Sequence, residues 1–148
     1  MPQDNRLSRM LHVLVHMHLL GGTETSQTIG LMLSTNPVVV RRTMAALKRH
    51  GIVGSEGGPG GGWLLTRGAQ EISVLDVHKA LNDKSVFSLG LAADHAGCPV
   101  ERAVNAHLSK AFLKAETVLN DEFGKLTLAQ IAQEFSAVRE ARSTNLEA

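Results

Sequence analysis

Along the chain, stretches in which apolar residues recur every three or four positions alternate with short breaks of glycine, proline and polar residues. Leu7, Met10, Leu11, Leu14, Met17 and Leu20 fall at i, i+3, i+4 and i+7 spacings, which predicts a helix over Arg6 to Leu20, stopped by Gly21 and Gly22. A second, short helix is predicted after Thr25 or Ser26, either a suitable N-cap, with Ile29, Leu31, Met32 and Leu33 as its apolar positions and an end near Ser34. Asn36 followed by Pro37 opens a third, because proline at the first helical position gives up an N–H that has no partner there anyway. Its inner stripe is Val40, Met44 and Leu47, which leaves Val38, Val39, Arg41, Arg42 and Lys48 on solvent or side faces before Gly51 ends it.

Two short β-like runs follow, Ile52 to Ser55 and Trp63 to Thr66, joined by the glycine-rich stretch from Glu56 to Gly62. That is the pattern of a hairpin with an exposed loop. Glu71 to Ser73 adds a brief extended piece, and Val74, Val77, Ala80 and Leu81 mark a fourth helix. The segment from Asn82 to Gly97 has no sustained period and reads as a connection, with one helical turn around Phe87 to Leu91. Pro99 opens the longest helix, to about Phe123, with a wide apolar stripe through Val104, Leu108, Ala111, Phe112, Ala115, Val118 and Leu119. After Gly124, Thr127 caps a last helix carrying Leu128, Ile131, Ala132 and Phe135, and the polar tail beyond Arg139 is expected to fray.

The expected fold class is therefore mostly α with a small β-hairpin wing: a winged helix-turn-helix followed by a long C-terminal helix. Three parts are expected: residues 1–81 as the DNA-binding domain, 82–98 as a connecting loop, and 99–148 as a long helix for pairing plus a last helix packed back on the core. Helix, helix, short turn, helix and hairpin is the plan in which the third helix enters a major groove. Arg41 and Arg42 suit guanine edges or phosphates, since the guanidinium fork matches both. Ser26, Gln27, Thr35 and Asn36 supply neutral donors for phosphate oxygens beside the positive ends of two helices. Val38 and Val39 fit either thymine methyls or ordinary packing, and Gly58 and Gly60 form the wing tip that lies on the minor groove or backbone.

Charge supports this picture modestly. Of the 148 residues, 1–67 hold seven Lys/Arg against three Asp/Glu, and 68–148 hold eight against eleven, so a basic front of +4 precedes an acidic rear of −3. The hydrophobic share of 43% and charged share of 20% are those of a globular chain, and the first twenty residues carry neither a membrane span nor a signal-peptide pattern, so a cytoplasmic location is expected.

Other chemistries fare worse. A phosphate-binding glycine loop runs from a strand into a helix and usually carries Lys followed by Ser or Thr; this one runs between two strands and has no lysine, which argues against a nucleotide-binding enzyme. His12 and His16 lie one helical turn apart with His18 near, but no carboxylate or thiol shares their spacing, so packing or surface placement is favoured over a metal site. No catalytic constellation is recognisable, and no enzyme is expected. The single cysteine, Cys98, excludes an internal disulfide framework. At N-cap or N′ of the long helix it is a candidate redox sensor, because a helix N-terminus stabilises a thiolate; the contrary reading is an inert, small buried side chain.

The chain resembles the Rrf-two family of bacterial regulators, whose members include IscR, NsrR and CymR. The resemblance is carried by Val40-Arg41-Arg42-Thr43-Met44-Ala45-Ala46-Leu47, His50-Gly51-Ile52-Val53-Gly54-Ser55, Gly58-Pro59-Gly60-Gly61-Gly62-Trp63-Leu64-Leu65, Glu71-Ile72-Ser73-Val74-Leu75-Asp76-Val77, Cys98 and Thr127-Leu128-Ala129. It implies a homodimer paired through the long helix, binding double-stranded DNA at a near-palindromic operator, usually as a repressor, with two recognition helices about 34–36 Å apart. It also leaves room for an alternative, a winged-helix module that acts by binding a metabolic enzyme. Two departures stand out. Gly57 occupies the place where the family commonly has an arginine, and only Cys98 matches the three cysteines of the cluster-binding members. No cofactor is therefore expected: one cysteine, with His95 and Glu101 near, is a poor set for an iron–sulfur cluster.

Overall fold

The structure, a computed structural model, describes residues 4–59, 61–81 and 89–146. Helix α1 (Arg6–Leu20) is followed by α2 (Ser26–Leu33), α3 (Pro37–Arg49), the antiparallel strands β1 (Val53–Glu56) and β2 (Gly62–Leu65), α4 (Val74–Leu81), α5 (Pro99–Lys125) and α6 (Leu128–Leu146). The fold is a winged helix-turn-helix, mostly helical with one hairpin. A short 3-10 turn, Ala69–Glu71, stands where an extended piece was expected at Glu71. Among the described residues no helix is long and apolar enough to cross a membrane.

Local chemistry sets the helix starts. Thr25 settles the α2 cap: its hydroxyl accepts from the Thr28 N–H at 3.1 Å. Asn36 caps α3 through Oδ1, which accepts from the Val38 N–H at 2.8 Å, with Pro37 in the first helical position. At α6 the Thr127 hydroxyl accepts from the Gln130 N–H while the Gln130 side chain accepts from the Thr127 N–H, a reciprocal capping pair.

One core joins most of these elements. Leu14 of α1, Ile29 of α2, Val40, Met44 and Leu47 of α3, Ile52, Ile72, Val77 of α4 and Leu128 of α6 are all fully buried. Each such side chain stabilises the fold by roughly 1.5–3 kcal/mol relative to exposure. Register also follows from burial: Val53, facing Leu65, points inward, while Ser55 opposite Trp63 and Glu56 opposite Gly62 reach the surface.

Several expectations change. The α1 stripe is centred on Met10, Val13, Leu14 and Met17, with Leu20 exposed. Leu31 is 82% exposed, so it belongs to no core face of α2. Gly124 does not stop α5; it lies in the last turn of the helix, beside Leu75. The polar tail remains helical to Leu146, because Ala137, Arg139, Glu140, Ala141 and Arg142 are good helix formers and polarity alone does not unmake a helix. Of the helical turn expected around Phe87 to Leu91, Phe87 and Ser88 lie outside the described residues and Leu89 to Leu91 are not helical; the chain turns later, at Asp94 to Gly97.

Candidate nucleic-acid interface

The α2–α3 unit is held tightly by its turn. Ser34 takes a left-handed conformation (φ 50°, ψ 48°), and its N–H together with that of Thr35 closes the end of α2 on the Gly30 and Leu31 carbonyls. Gly30 allows the approach: a Cβ there would lie 2.8 Å from the Thr35 carbonyl oxygen and 3.6 Å from the Pro37 nitrogen. Arg9 of α1, which sequence reasoning missed, donates to the Leu33 carbonyl at 2.5 Å and so caps α2 from a neighbouring helix.

Helix α3 then has two distinct faces. Val40, Met44 and Leu47 anchor it in the core, while Val38, Val39, Arg41 and Arg42 are exposed on the other side. The two valines are each about half exposed. Neither arginine forms a salt bridge with a described residue, whereas Arg6 pairs with Asp4, Arg67 with Asp76 and Lys125 with Glu122. Two exposed cations, unpaired with any acidic side chain among the described residues, stand on a helix whose first turn holds no acid. Lys48 is engaged differently, donating to the Ser55 hydroxyl at 2.8 Å and tying α3 to β1.

The other residues singled out by sequence divide. Gln27 and Asn36 are exposed and Thr35 half-buried, all near the α2 and α3 N-termini or the turn between them. Ser26 is turned inward: it is only 9% exposed, and its hydroxyl oxygen accepts from the Trp63 indole N–H at 3.0 Å. Gly58 is exposed at the wing tip with φ of 79°, the left-handed region that favours glycine, and its carbonyl accepts from the Gly61 N–H. Gly60 lies outside the described residues. The wing is also paired on its inner edge, since Trp63 and Glu24 exchange backbone hydrogen bonds of 2.8 and 2.9 Å.

Cys98 lies on a different element, α5. It is the N-cap of α5, half-buried, and the backbone N–H groups of Glu101 and then Val100 lower its thiol pKa by stabilising the thiolate. For an iron–sulfur cluster the donor set does not fit. The chain holds one cysteine, and the neighbouring Glu101 carboxylate accepts from the His95 backbone N–H at 3.0 Å. Among the described residues no three His, Cys, Asp or Glu side chains come together, and His12 and His16 meet edge to face with ring centres 4.8 Å apart.

Comparison with known proteins agrees with the geometry. YwnA of Bacillus subtilis (strain 168), named by inference an HTH-type transcriptional regulator, is 27% identical over 129 residues, covering 86% of this chain and 95% of YwnA. A transcriptional regulator of Lactobacillus plantarum, so named by inference, has the same fold with a TM-score of 0.75 at 15% identity, covering 96% of this chain and 99% of its own. IscR of T. potens superposes with a TM-score of 0.63 at 17% identity, covering 90% and 88%. The profile of Rrf2, described as an iron-dependent transcriptional regulator, matches residues 4–134. A match of that extent, on a chain folded as a helix-turn-helix with a wing, establishes that the protein belongs to the Rrf2 family of transcriptional regulators and is a DNA-binding regulator, not an enzyme.

Proposed function

We propose that this chain is a homodimeric repressor that places α3 in the major groove of a near-palindromic operator and is released from it by modification of Cys98. The observation that carries the reading is the outer face of α3: two exposed arginines without acidic partners among the described residues beside two half-exposed valines, on a helix clamped by Val40, Met44 and Leu47. Arginine forks suit guanine O6/N7 or phosphate, and valine methyls suit thymine methyls. Gln27, Thr35 and Asn36 and the α2 and α3 amide ends supply backbone contacts that fix register, and the wing tip at Gly58 and Gly60 rests on the minor groove or backbone. Ser26 serves from within. Residues 1–81 form the DNA-binding part, 82–98 the connection with the sensor, and 99–148 the pairing helix and the helix that returns to the core.

Homodimerisation is supported by α5. None of its 27 residues is buried, and Val100, Val104, Leu108, Leu113 and Val118 are exposed. A second apolar surface, a groove between α1, the end of α5 and α6, is lined by Leu7, Leu11, Val15, Phe123, Ile131 and Phe135. Exposed apolar side chains grouped in this way fit a protein interface. Light scattering on the eluted protein is expected to give twice the chain mass, and a Leu108→Glu, Val104→Glu variant the mass of one chain. A monomeric wild type rejects the dimer.

The regulatory step is oxidation of the Cys98 thiolate by a peroxide: sulfur attacks one peroxide oxygen, the O–O bond breaks, and a sulfenic acid and hydroxide result. Genomic fragments captured by the wild-type chain supply the operator. Arg41→Ala with Arg42→Ala is expected to abolish capture and flatten the salt dependence of binding; unchanged binding removes α3 as the reading element. Peroxide is expected to release wild type but not Cys98→Ser, and equal responses dismiss the switch. A reporter gene carrying the operator is expected to be expressed more strongly without the protein; weaker expression makes it an activator. Neither the relatives' names nor the site favours a module that acts through a metabolic enzyme.

A further inference from the structure

Trp63, the one tryptophan of the chain, is tied to the helix-turn-helix in three ways. Its indole N–H donates to the Ser26 hydroxyl at 3.0 Å, its backbone exchanges two hydrogen bonds with Glu24, and its ring packs against the core. The residue before it leaves no slack: Gly62 has φ of 154°, and a Cβ there would stand 2.6 Å from the Glu24 carbonyl oxygen. On the far strand Lys48 of α3 holds Ser55, and at the base of the hairpin the Thr66 hydroxyl donates to the Gly51 carbonyl. The hairpin is thus fastened at its inner edge to the start of α2 and at its outer edge to the end of α3.

We propose that Trp63 is a positioning residue for DNA binding: its N–H, seated on Ser26, sets the wing at a fixed offset from the recognition helix so that both reach the duplex together. The inference rests on the DNA-binding reading above. Gly57, Gly58 and Pro59 at the tip carry no cation, so what the wing gives DNA is placement and backbone donors, and its contribution depends on where it is held. A wing free to swing would have to be ordered on binding, and that ordering weakens affinity without altering the number of phosphates neutralised.

The test uses Trp63→Phe, which keeps an aromatic ring and the backbone pairing but has no N–H, and Ser26→Ala, which removes the acceptor from the other side. On an operator captured by wild type, each is expected to lower affinity about fivefold, the worth of one ordinary hydrogen bond, and the double variant no further than either single one. The slope of log affinity against log salt is expected to stay as in wild type, while hydroxyl-radical protection of the backbone flanking the major-groove contact weakens. Wild-type affinity and footprint in both single variants overturn the proposal, as do effects that multiply in the double. If Trp63→Phe fails to fold, Ser26→Ala alone decides by the same criteria. Arg41→Ala with Arg42→Ala separates the two levels: if it binds like wild type the recognition-helix reading falls and this inference with it. If it loses binding while Trp63→Phe and Ser26→Ala do not, this inference alone falls.

Discussion

Replacing Gly30 by alanine tests whether the α2–α3 turn is as tight as its geometry states. In an exposed helix interior the change would stabilise by about 1 kcal/mol, because glycine pays more backbone entropy than alanine. Gly30 is buried, and its new Cβ would stand 2.8 Å from the Thr35 carbonyl oxygen, well inside ordinary contact at 3.4 Å or more. The obstacle is backbone and cannot rotate away: the Thr35 N–H is bonded to the Gly30 carbonyl at 2.9 Å, and the Pro37 ring Cδ lies 3.7 Å from the same Cβ. Overpacking against a fixed neighbour costs about 1–3 kcal/mol, and the rigidity here places the cost near the top of that range. The net expectation is a loss of about 2 kcal/mol, a fall in Tm of about 4–8 °C for a chain of this size, followed by thermal unfolding at fixed protein concentration. A rise in Tm for Gly30→Ala would refute the reasoning, since the turn would then have room that the geometry denies it.

The neighbouring Ser34 gives the opposite sign. Its left-handed backbone strains any L residue, so Ser34→Gly is expected to raise stability by about 0.5–1 kcal/mol in the same melt, and a fall counts against that account of the turn. Asn36→Ala loses the α3 cap and about 1 kcal/mol; Asn36→Asp keeps the cap and stability but sets a carboxylate toward the duplex, so its melt resembles wild type while its operator affinity drops. His78 of α4 is 8% exposed, with its ring against Phe123 of α5, and burial lowers its pKa from the ordinary 6.5, partly opposed by Glu116. The neutral form is favoured in the fold, so its contribution is full above pH 6.5 and fades as pH falls through the lowered value. Urea midpoints followed downward from pH 7 are expected to decline less in His78→Phe than in wild type; parallel declines would show that His78 is not the group responsible.

What the sequence disclosed were features written in adjacent residues. Asn36-Pro37 announces the start of α3, and Val40, Met44 and Leu47 announce its buried face, because caps and helical periodicity act over a few positions. What it concealed were pairings across distance. Nothing near Ser26 in sequence shows that its hydroxyl oxygen accepts from Trp63, 37 residues on. Arg9 looks like one more surface cation until its guanidinium is found on the Leu33 carbonyl. The α1 stripe shows the same limit: Leu7, Leu11 and Val13 are equally apolar, yet only Val13 is fully buried, because which flank of a wide stripe meets the core depends on where α4 and α6 lie.

The architecture also ties the proposed signal to the proposed dimer. The last turns of α5 are anchored to the DNA-binding part by the His78–Phe123 contact and by the backbone bonds of Val74 to Leu126 and Leu128 to Ile72. Cys98 lies at the opposite end, about 40 Å away along a 27-residue helix. Between them α5 buries no side chain in its own chain, its N-terminal part being held by Glu101 accepting from the His95 N–H and Asn105 donating to the Ala92 carbonyl, so in a lone chain a change at Cys98 meets only these exposed contacts. In the proposed dimer a partner seated along Val104, Leu108 and Val118 would supply more resistance, so that a modification at the N-terminus of α5 would alter how two helices cross and the anchored end would carry the change to α4. On the proposed reading, regulation through Cys98 therefore depends on the proposed dimer.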